Sequence, residues 1–493
     1  MRLMQTKMLS RGIRNCVIAV ALLAAAGAQA FSLIGPLTSW QVVGLAYGFG
    51  EDIGGPMYRD EGFRWNVPVI TYGFDKSFID YFGPNGVKAI DEAFLYFNDL
   101  PRVTQMSTNL EEYSTSTLRE NFSAGAMSII DVKSTAMSLI MEELGFADPI
   151  RYTFTLRSRS VVGTPPVTNY ATIMRNFDPV TWTESRYVNG KLYSYQIQEF
   201  RLPDHADALE FVSLGEDDRQ TIPVASGLAR ITLDGSVSDS GAAGSTAPGL
   251  FRIGLTRDDV GGIRWLYRPS NFAMETLLPT ITAGFALGAR GAWIPFTGLT
   301  NDVTVTNGQV IGTNQFVSQG WRGGRNHMRF QRAFFDPIFG QTFVTLTNAY
   351  TDVTVTTNRT LVVQALQRAI NGPDFLFLSE DLGLVQNLVP ALLRRTGTAG
   401  WINNDAINGA DETALSAGPG VIAPPVQISF SKLLPYFLNF TSAFLDDFPG
   451  EGDAAFSGVW GSFDGSTNAP IIYPVGGPLT LQQLRQQILR GER

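Results

Sequence analysis

Apolar residues recur every three or four positions in three stretches of the N-terminal half, which is the spacing of an amphipathic helix with one buried face. The pattern predicts helices over residues 84–100 and 134–144, and Gly145 stands where a C-terminal cap of the second helix belongs. A third helix is predicted to begin after Thr256, a favoured N-cap residue that has Asp259 three positions later. These are the helices expected of the N-terminal half.

Alternation of apolar and polar residues predicts a strand over residues 65–74. Pro68 lies within this run and favours an edge position in its sheet, because proline cannot donate a hydrogen bond to a neighbouring strand. Residues 181–198 have the strongest hairpin pattern, with Asn189-Gly190 as a type I′ turn between two strand-like runs.

The remainder of the chain is rich in strand patterns and contains one predicted helix over residues 361–370, which ends before a Gly-Pro pair. The segment Asp-Val-Thr-Val-Thr occurs twice, at residues 302–306 and 352–356. Two β-modules of one design would explain this match, and coincidence in a region rich in threonine and valine is the alternative.

These patterns divide the chain into four parts, and the predicted fold class is α+β. Residues 1–30 form a signal peptide and residues 31–270 an α+β domain. Residues 271–478 form a β-rich region of one or two sandwich-like modules. A short amphipathic helix over residues 479–493 ends the chain.

The first 30 residues have the pattern of a secretory signal peptide. Basic residues precede a short apolar run, and Ala28-Gln29-Ala30 is a small-residue cleavage pattern that predicts cleavage after Ala30. The apolar run is well short of the roughly 20 residues that a membrane-spanning helix needs, and no second run of that length follows. The protein is therefore expected to be secreted, extracellular or periplasmic, with no transmembrane span.

Composition narrows the classes of protein that remain. Cys16 is the single cysteine among 493 residues and lies in the segment expected to be removed, so the mature chain would be free of cysteine. Absence of disulfides is typical of a bacterial rather than a eukaryotic exported protein of this size. The formal net charge of −8 gives no reason to expect a nucleic-acid partner. The two histidines are too few for a zinc site built from three.

Several N-terminal segments, taken in order, resemble the matrixin-like branch of the metzincin metallopeptidases. Residues 68–75 and the helix over residues 87–97 are similar to the first strand and first long helix of that family. Residues 255–267 are similar to its closing helix, of the form L-T-x-x-D-x-x-G-I-x-x-L-Y, and residues 137–146 stand where its zinc-binding helix would be. The resemblance implies a metzincin-like fold for residues 31–270.

The resemblance does not extend to the zinc motif H-E-x-x-H-x-x-G-x-x-H, in which two histidines one helical turn apart bind the metal. Alignment on Gly145 puts Ser138 and Glu142 at the two histidine positions and Leu139 at the position of the catalytic glutamate. Pro149 or a neighbour stands where the third ligand would be. The resemblance therefore implies a degenerate scaffold without the peptidase zinc, a pseudoenzyme.

One oxygen-rich loop has the kind of side chains that calcium favours, although its spacing differs from that of an EF-hand loop. An ordinary polar turn is the alternative, and a second acidic cluster around Asp446 has the same two interpretations. No catalytic residue and no other cofactor is predicted. The candidate calcium ligands are Asn403, Asp405, Asn408, Asp411 and Glu412.

Arginines surround His327, at positions 322, 325, 329 and 332. We interpret them as a solvated face of a strand, and binding of an acidic surface or of sugar phosphates is the alternative.

The function predicted from these features is that of a secreted bacterial structural, adhesive or matrix protein without catalytic activity. A secreted peptidase or glycosidase that uses carboxylates not identifiable from the sequence is one alternative, and a polysaccharide-binding protein is the other. The expected partners are extracellular or cell-surface proteins or glycans, and assembly into a homo-oligomer is a further option.

Overall fold

The computed structural model describes much of the chain between residues 57 and 379 and shorter segments outside that range. The described residues are 30–36, 53–54, 57–59, 61–147, 149–150, 152–199, 208–213, 223–224, 248–284, 302–306, 309–312, 316–333, 335–336, 341–342, 345–356, 359–379, 401–402, 420–430, 459–474 and 486. The predicted C-terminal helix over residues 479–493 lies outside this set, apart from residue 486.

The helices predicted for the N-terminal half are confirmed, and each begins at a side-chain cap. They are α1 (Lys76–Asn98), α3 (Val132–Glu143) and α4 (Arg257–Tyr267); a short helix α2 (Phe122–Ala126) and a 3₁₀ helix (Val103–Gln105) complete the helical elements of the described residues. Helix α1 begins before the predicted residue 84, because Gly83, at φ 58°, joins an earlier helical segment to the predicted one across a kink. The capping box of Thr256 and Asp259 is present at the start of α4. Among these helices, none combines the length and the apolar character needed to cross a membrane.

The strands of the described residues range from two to ten residues in length. Those in the N-terminal part are β1 (Ser32–Leu33), β2 (Gly35–Pro36), β3 (Ile53–Gly54), β4 (Val69–Phe74), β5 (Leu118–Glu120), β6 (Ile129–Asp131), β7 (Phe146–Ala147), β8 (Thr155–Val162), β9 (Val167–Ile173), β10 (Tyr187–Val188), β11 (Lys191–Leu192), β12 (Ser194–Glu199), β13 (Ala208–Ser213) and β14 (Leu250–Arg252). Those that follow are β15 (Ala273–Thr276), β16 (Ile281–Ala283), β17 (Asp302–Thr306), β18 (Gln309–Gly312), β19 (Gln319–Arg322), β20 (Arg329–Arg332), β21 (Phe335–Asp336), β22 (Gln341–Thr342), β23 (Leu346–Val355), β24 (Leu361–Ile370), β25 (Phe375–Leu378), β26 (Trp401–Ile402), β27 (Val421–Ile422), β28 (Val426–Ser429), β29 (Val459–Ser462) and β30 (Ile471–Ile472).

The predicted hairpin turn is confirmed: Asn189 and Gly190 have φ angles of 44° and 81° between strands β10 and β11. Both angles lie in the left-handed region that a type I′ turn requires.

A parallel sheet of order β20–β4–β25–β28 lies at the centre of the described fold. Strand β4 has a neighbour on each side, so the edge position predicted from Pro68 is wrong. Pro68 precedes the first paired residue of β4, and its carbonyl accepts a hydrogen bond from the Arg329 amide at 2.9 Å. Pro68 therefore lies at a position where pairing of β4 with its neighbours requires no N–H donor.

Strand β24 contradicts the helix predicted over residues 361–370. In the structure it pairs with β23 along one edge and with β16 and β17 along the other. Two of its five buried side chains, Gln364 and Arg368, are polar. The apolar residues of this segment therefore do not alternate with polar ones, and a hydrophobicity pattern does not indicate a strand. The side-chain amide of Gln364 donates to the Val317 carbonyl at 3.0 Å, and Arg368 pairs with Asp374. The alternating buried positions are Val362, Gln364, Leu366, Arg368 and Ile370.

The two Asp-Val-Thr-Val-Thr segments lie on opposite edges of this same strand. Asp302 of β17 and Asp352 of β23 are both register partners of Gln364, and the following residues of each segment pair in step. The described repeat thus provides two neighbours of one strand within a single sheet.

One large core cluster joins residues from both sides of position 270. Phe94 of α1 packs against Phe330 at 5.1 Å between ring centroids, and Phe82 packs against Phe430 at 5.3 Å and against Tyr473 at 4.9 Å. The domain boundaries stay a prediction, but the described residues on the two sides of residue 270 share the parallel sheet and this core. The arrangement is mixed α and β, with few helices and many strands in several sheets, which agrees with the α+β class.

Candidate functional site

The positions aligned with a zinc motif lie in the core. Ser138, Leu139 and Glu142 of α3 are all buried, and the Ser138 hydroxyl donates to the Ser134 carbonyl at 3.3 Å. Burial, reinforced by the negative charge of Glu142, raises the pKa of Glu143 well above its usual range. Within the described residues, no group of three or more His, Cys, Asp or Glu side chains is arranged to hold a metal ion.

The candidate calcium loop lies outside the described residues, and so does the acidic cluster around Asp446. The calcium sites therefore stay a prediction, and this applies to Asn403, Asp405, Asn408, Asp411 and Glu412.

The arginines near His327 do not form one solvated face, so that interpretation is wrong for two of them. Arg322 is buried, and its Nε contacts Asp352 Oδ2 at 2.8 Å, while Arg325 Nη2 contacts Asp352 Oδ1 at 2.9 Å. The Arg322 Nη1 also donates to the Glu275 carbonyl at 2.6 Å. A single carboxylate, Asp352 of the neighbouring strand β23, holds both cations in the interior. Arg325 Nε also donates to the Asn66 carbonyl at 2.6 Å, which ties the antiparallel sheet to the segment before β4.

Arg64 extends this buried network towards the N-terminal part of the chain. Its Nε contacts Glu275 Oε1 at 2.5 Å. Its terminal nitrogens donate to the carbonyls of Leu266, Asn271 and Arg322 at 2.8–2.9 Å. The guanidinium therefore ties the end of helix α4 and strand β19 to the chain segment just before β4.

A two-stranded ribbon is formed by β8 and β9, and most of its described side chains are exposed. Neither strand pairs with any other strand that the structure describes. Large hydrophobic side chains are exposed to solvent near its tip and along β9: Val162 is 51% exposed, Val167 56% and Tyr170 36%. Among the described residues, the outer edges of the ribbon have no paired strand and apolar side chains are exposed beside them, a combination that folded proteins normally avoid.

A second surface feature is a cavity of about 280 Å³, which we call the polar hollow. One wall is a face of α1 with Asn85, Lys88 and Glu92, and the opposite wall is the segment after β29, with Asp464 and Asn468 among its side chains. Lys88 Nζ lies 3.6 Å from Glu92 Oε1, and both side chains are largely exposed. The hollow therefore offers amide, ammonium and carboxylate groups to a molecule of modest size.

Asp131 lines the polar hollow and is the most deeply buried of its acids. Its Oδ2 caps α3 by accepting hydrogen bonds from the Ser134 amide at 2.9 Å and the Ser134 hydroxyl at 2.5 Å. Its Oδ1 is shielded from solvent, and a backbone hydrogen bond from Phe463 favours the charged form of the carboxyl. Burial raises the pKa of Asp131 to about 6, and the positive charge of Lys133 opposes that rise.

Ser462 lines the hollow, and its hydroxyl has a buried partner in Tyr473, which is not itself a lining residue. The Ser462 hydroxyl and the Tyr473 phenol lie 2.8 Å apart. Burial raises the pKa of Tyr473 to about 12, and the charges of Asp131 and Glu92 add to the rise. The phenol therefore stays protonated at neutral pH and close to both carboxylates.

Asp258 is a second buried carboxylate, at the start of α4. Its Oδ2 accepts hydrogen bonds from the Ala30 amide at 2.9 Å and the Asn189 amide at 2.6 Å. Burial raises its pKa well above the usual range, although these two backbone hydrogen bonds oppose the rise. Ala30 itself is fully buried and packs with Ile150 and Val188.

A chain that begins at Phe31 is expected to be less stable than one that begins at Gln29, by about 1–3 kcal/mol. It loses the buried Ala30 methyl group, and it removes one donor from the Asp258 carboxylate. Urea unfolding of the two chains measures the difference, and a chain that begins at Ala28 is the control that should equal the Gln29 chain. Equal unfolding midpoints for the Phe31 and Gln29 chains would contradict the prediction.

Comparison with protein-family models, with curated protein sequences and with solved structures gives no match to this chain. The functional argument therefore rests on the ribbon and the polar hollow. Sequence reasoning missed both of them. A signal for Asp131 was present, since an aspartate three residues before Ser134 at the start of an apolar-periodic run is a typical N-cap.

Proposed function

We propose that this protein is an exported structural or adhesive protein of a bacterial surface or matrix that assembles with further copies of itself through strand β9. The observation that carries the proposal is the ribbon β8–β9, whose strands pair only with each other among the described residues. An isolated two-stranded hairpin is marginally stable in water. An open strand edge is also a template for another strand, so a partner strand would stabilise this ribbon.

The sequence of β9 favours self-pairing. Residues 167–173 contain no charged residue, no proline and no glycine, whereas β8 contains Arg157 and Arg159. Charged residues on an edge strand oppose pairing with a second copy, because like charges then face each other. The outer edge of β9 therefore has no such protection, and it is the edge that we expect to meet its counterpart.

A two-fold axis relates the two copies and requires their β9 strands to run antiparallel. Among the registers that this symmetry allows we choose the one centred on Tyr170, which places this residue opposite itself and Val167 opposite Ile173. Cross-strand aromatic pairs and pairs of β-branched residues stabilise antiparallel strands. The sheet would then continue through four strands in the order β8–β9–β9–β8.

Replacing Tyr170 by lysine is expected to abolish self-association, because the two-fold axis brings two ammonium groups face to face. Sedimentation velocity of the purified mature chain at micromolar concentrations should show a dimer for the wild type and a monomer for Tyr170→Lys.

Phe122→Lys is the matched control, because Phe122 is an exposed aromatic residue of helix α2, outside the ribbon. This variant should associate like the wild type. A wild-type chain that stays monomeric over the whole concentration range, or a Tyr170→Lys chain that associates normally, would overturn the proposal.

We further propose a degenerate metzincin-like scaffold for residues 31–270 and sandwich-like packing for the C-terminal strands. Support for the first comes from the order of strand β4, helix α1, helix α3 and helix α4 around one core. A hydrolase would need two carboxylates free to face each other across a cleft. In the polar hollow Asp131 caps α3 and Glu92 lies beside Lys88, so we favour a non-catalytic role.

A further inference from the structure

Ala30 belongs to the core of the fold, although the small-residue pattern predicts removal of this residue with the signal peptide. Its side chain is 0% exposed and packs with Ile150, Val188 and Tyr193. Its amide donates a hydrogen bond to Asp258 Oδ2 at 2.9 Å, across 228 positions of the sequence. Ala30 therefore helps to join the start of helix α4 to the strand pair β10–β11.

The backbone that follows Ala30 is also held by hydrogen bonds. Phe31 is 3% exposed, and its amide donates to the Phe177 carbonyl at 3.0 Å. The Phe31 carbonyl accepts from the Phe177 amide at 2.8 Å. The Ser32 hydroxyl donates to the Arg175 carbonyl at 3.0 Å, and strand β1 pairs with β7. The folded part of the chain therefore includes Ala30 and every residue from there to the end of β1.

Cleavage after Ala30 would disturb this arrangement in two ways. It removes the buried Ala30 side chain and one donor to the Asp258 carboxylate. It also turns the Phe31 amide into an α-ammonium group at a buried position, where a charge is unfavourable unless it is paired and fully hydrogen-bonded. Both effects disfavour Phe31 as the first residue of the mature chain.

The sequence contains a second small-residue pattern two positions earlier. Ala26-Gly27-Ala28 has the same A-x-A form as Ala28-Gln29-Ala30, and cleavage after Ala28 also falls beyond the apolar run over residues 17–27. Residues 24–26 have this form too, but cleavage after them would fall within the apolar run. Cleavage after Ala28 keeps Ala30 and places the charged terminus outside the hydrogen-bonded backbone that begins at Ala30.

We propose that export of this chain ends in cleavage after Ala28, so that the mature protein begins at Gln29 and keeps Ala30 in its core. Water hydrolyses the Ala28–Gln29 peptide bond: its hydroxyl group joins the Ala28 carbonyl carbon, and its remaining hydrogen goes to the Gln29 nitrogen, which becomes the new α-amino group. The processing site rests on the export that is part of the proposed function, but not on self-association through β9.

The intact mass of the exported protein tests this site. The full chain with its own leader is produced in a bacterial host, and the processed form is purified. The expected mass is that of residues 29–493, or that mass less one ammonia where the α-amine has attacked the Gln29 side-chain amide and closed a lactam ring. The mass of residues 31–493 would overturn the proposal, and so would that of residues 27–493. A chain that is never processed would contradict the proposed export as well as this site.

Two phenylalanine substitutions distinguish the two bonds, because a bulky residue disrupts either small-residue position of the pattern. Ala30→Phe disrupts only the pattern that ends at Ala30, so processing should continue with an unchanged first residue. Ala26→Phe keeps the run apolar but disrupts the pattern that ends at Ala28, so the product that begins at Gln29 should disappear. Mass spectra of denatured extracts report processing whether or not Ala30→Phe folds. Loss of processing in Ala30→Phe, or an unchanged product from Ala26→Phe, would refute the site.

Discussion

Replacing Arg64 by methionine is expected to lower the free energy of unfolding by about 3–5 kcal/mol, the range for breaking one partner of a buried ion pair. The side chains of Arg64 and Glu275 are both fully buried. Methionine has a similar length but no donor, so Glu275 loses its closest cation and three buried carbonyl groups lose a hydrogen bond. Urea unfolding followed by tryptophan fluorescence measures the change.

Arg332→Met is the matched control, because Arg332 forms an ion pair with Asp91 in which both side chains are substantially exposed. Exposed pairs contribute about 0–1 kcal/mol, so the control should unfold close to the wild type. If the buried ion-pair network stabilises the fold as we expect, the Arg64 variant is clearly the less stable of the two. Similar losses in both variants would contradict that role.

Replacing Gly145 by alanine is the second change for which we expect a large effect, a loss of about 2–5 kcal/mol. Gly145 ends helix α3 at φ +103°, a conformation that costs a residue with a Cβ about 1–2 kcal/mol. The added Cβ would also lie 2.0 Å from the Phe63 carbonyl oxygen, so the backbone must shift, at about 1–3 kcal/mol more. Thermal and urea unfolding both report this loss.

Gly83→Ala separates the two causes. Gly83 has φ +58°, and no atom lies within 4 Å of the position that a Cβ would take. Alanine there should cost only about 1–2 kcal/mol for the backbone conformation. A Gly145→Ala chain that is no less stable than Gly83→Ala would show that the contact with Phe63 relaxes freely, contrary to our expectation.

Helices α1, α3 and α4 were predictable because their determinants are local. Thr256 with Asp259 and Gly145 after α3 each act within one turn of their own helix, so a single sequence displays them. Strand β24 was not predictable in this way. Its Gln364 and Arg368 are buried only because Val317 and Asp374 provide partners for them, and a periodicity pattern does not contain those partners.

The candidate sites were hidden for the same reason. The polar hollow brings together α1, the start of α3 and the segment after β29, which are far apart in the sequence. Asp131 is an ordinary N-cap in the sequence, and only the fold shows that this carboxyl is buried and lines the hollow. The ribbon is a strand pair whose lack of further neighbours becomes visible only in the sheet topology.

The order of strands in the central parallel sheet has a consequence for the biosynthesis of the protein. Strand β4 ends at Phe74, whereas one neighbour begins at Arg329 and the other at Phe375, and β28 beyond it ends at Ser429. A growing chain therefore carries an unpaired β4 until most of its length has left the ribosome, and contacts over such distances form slowly. We expect that the N-terminal segment cannot complete its core early, which would keep the nascent polypeptide unfolded for longer and would suit the export that we propose.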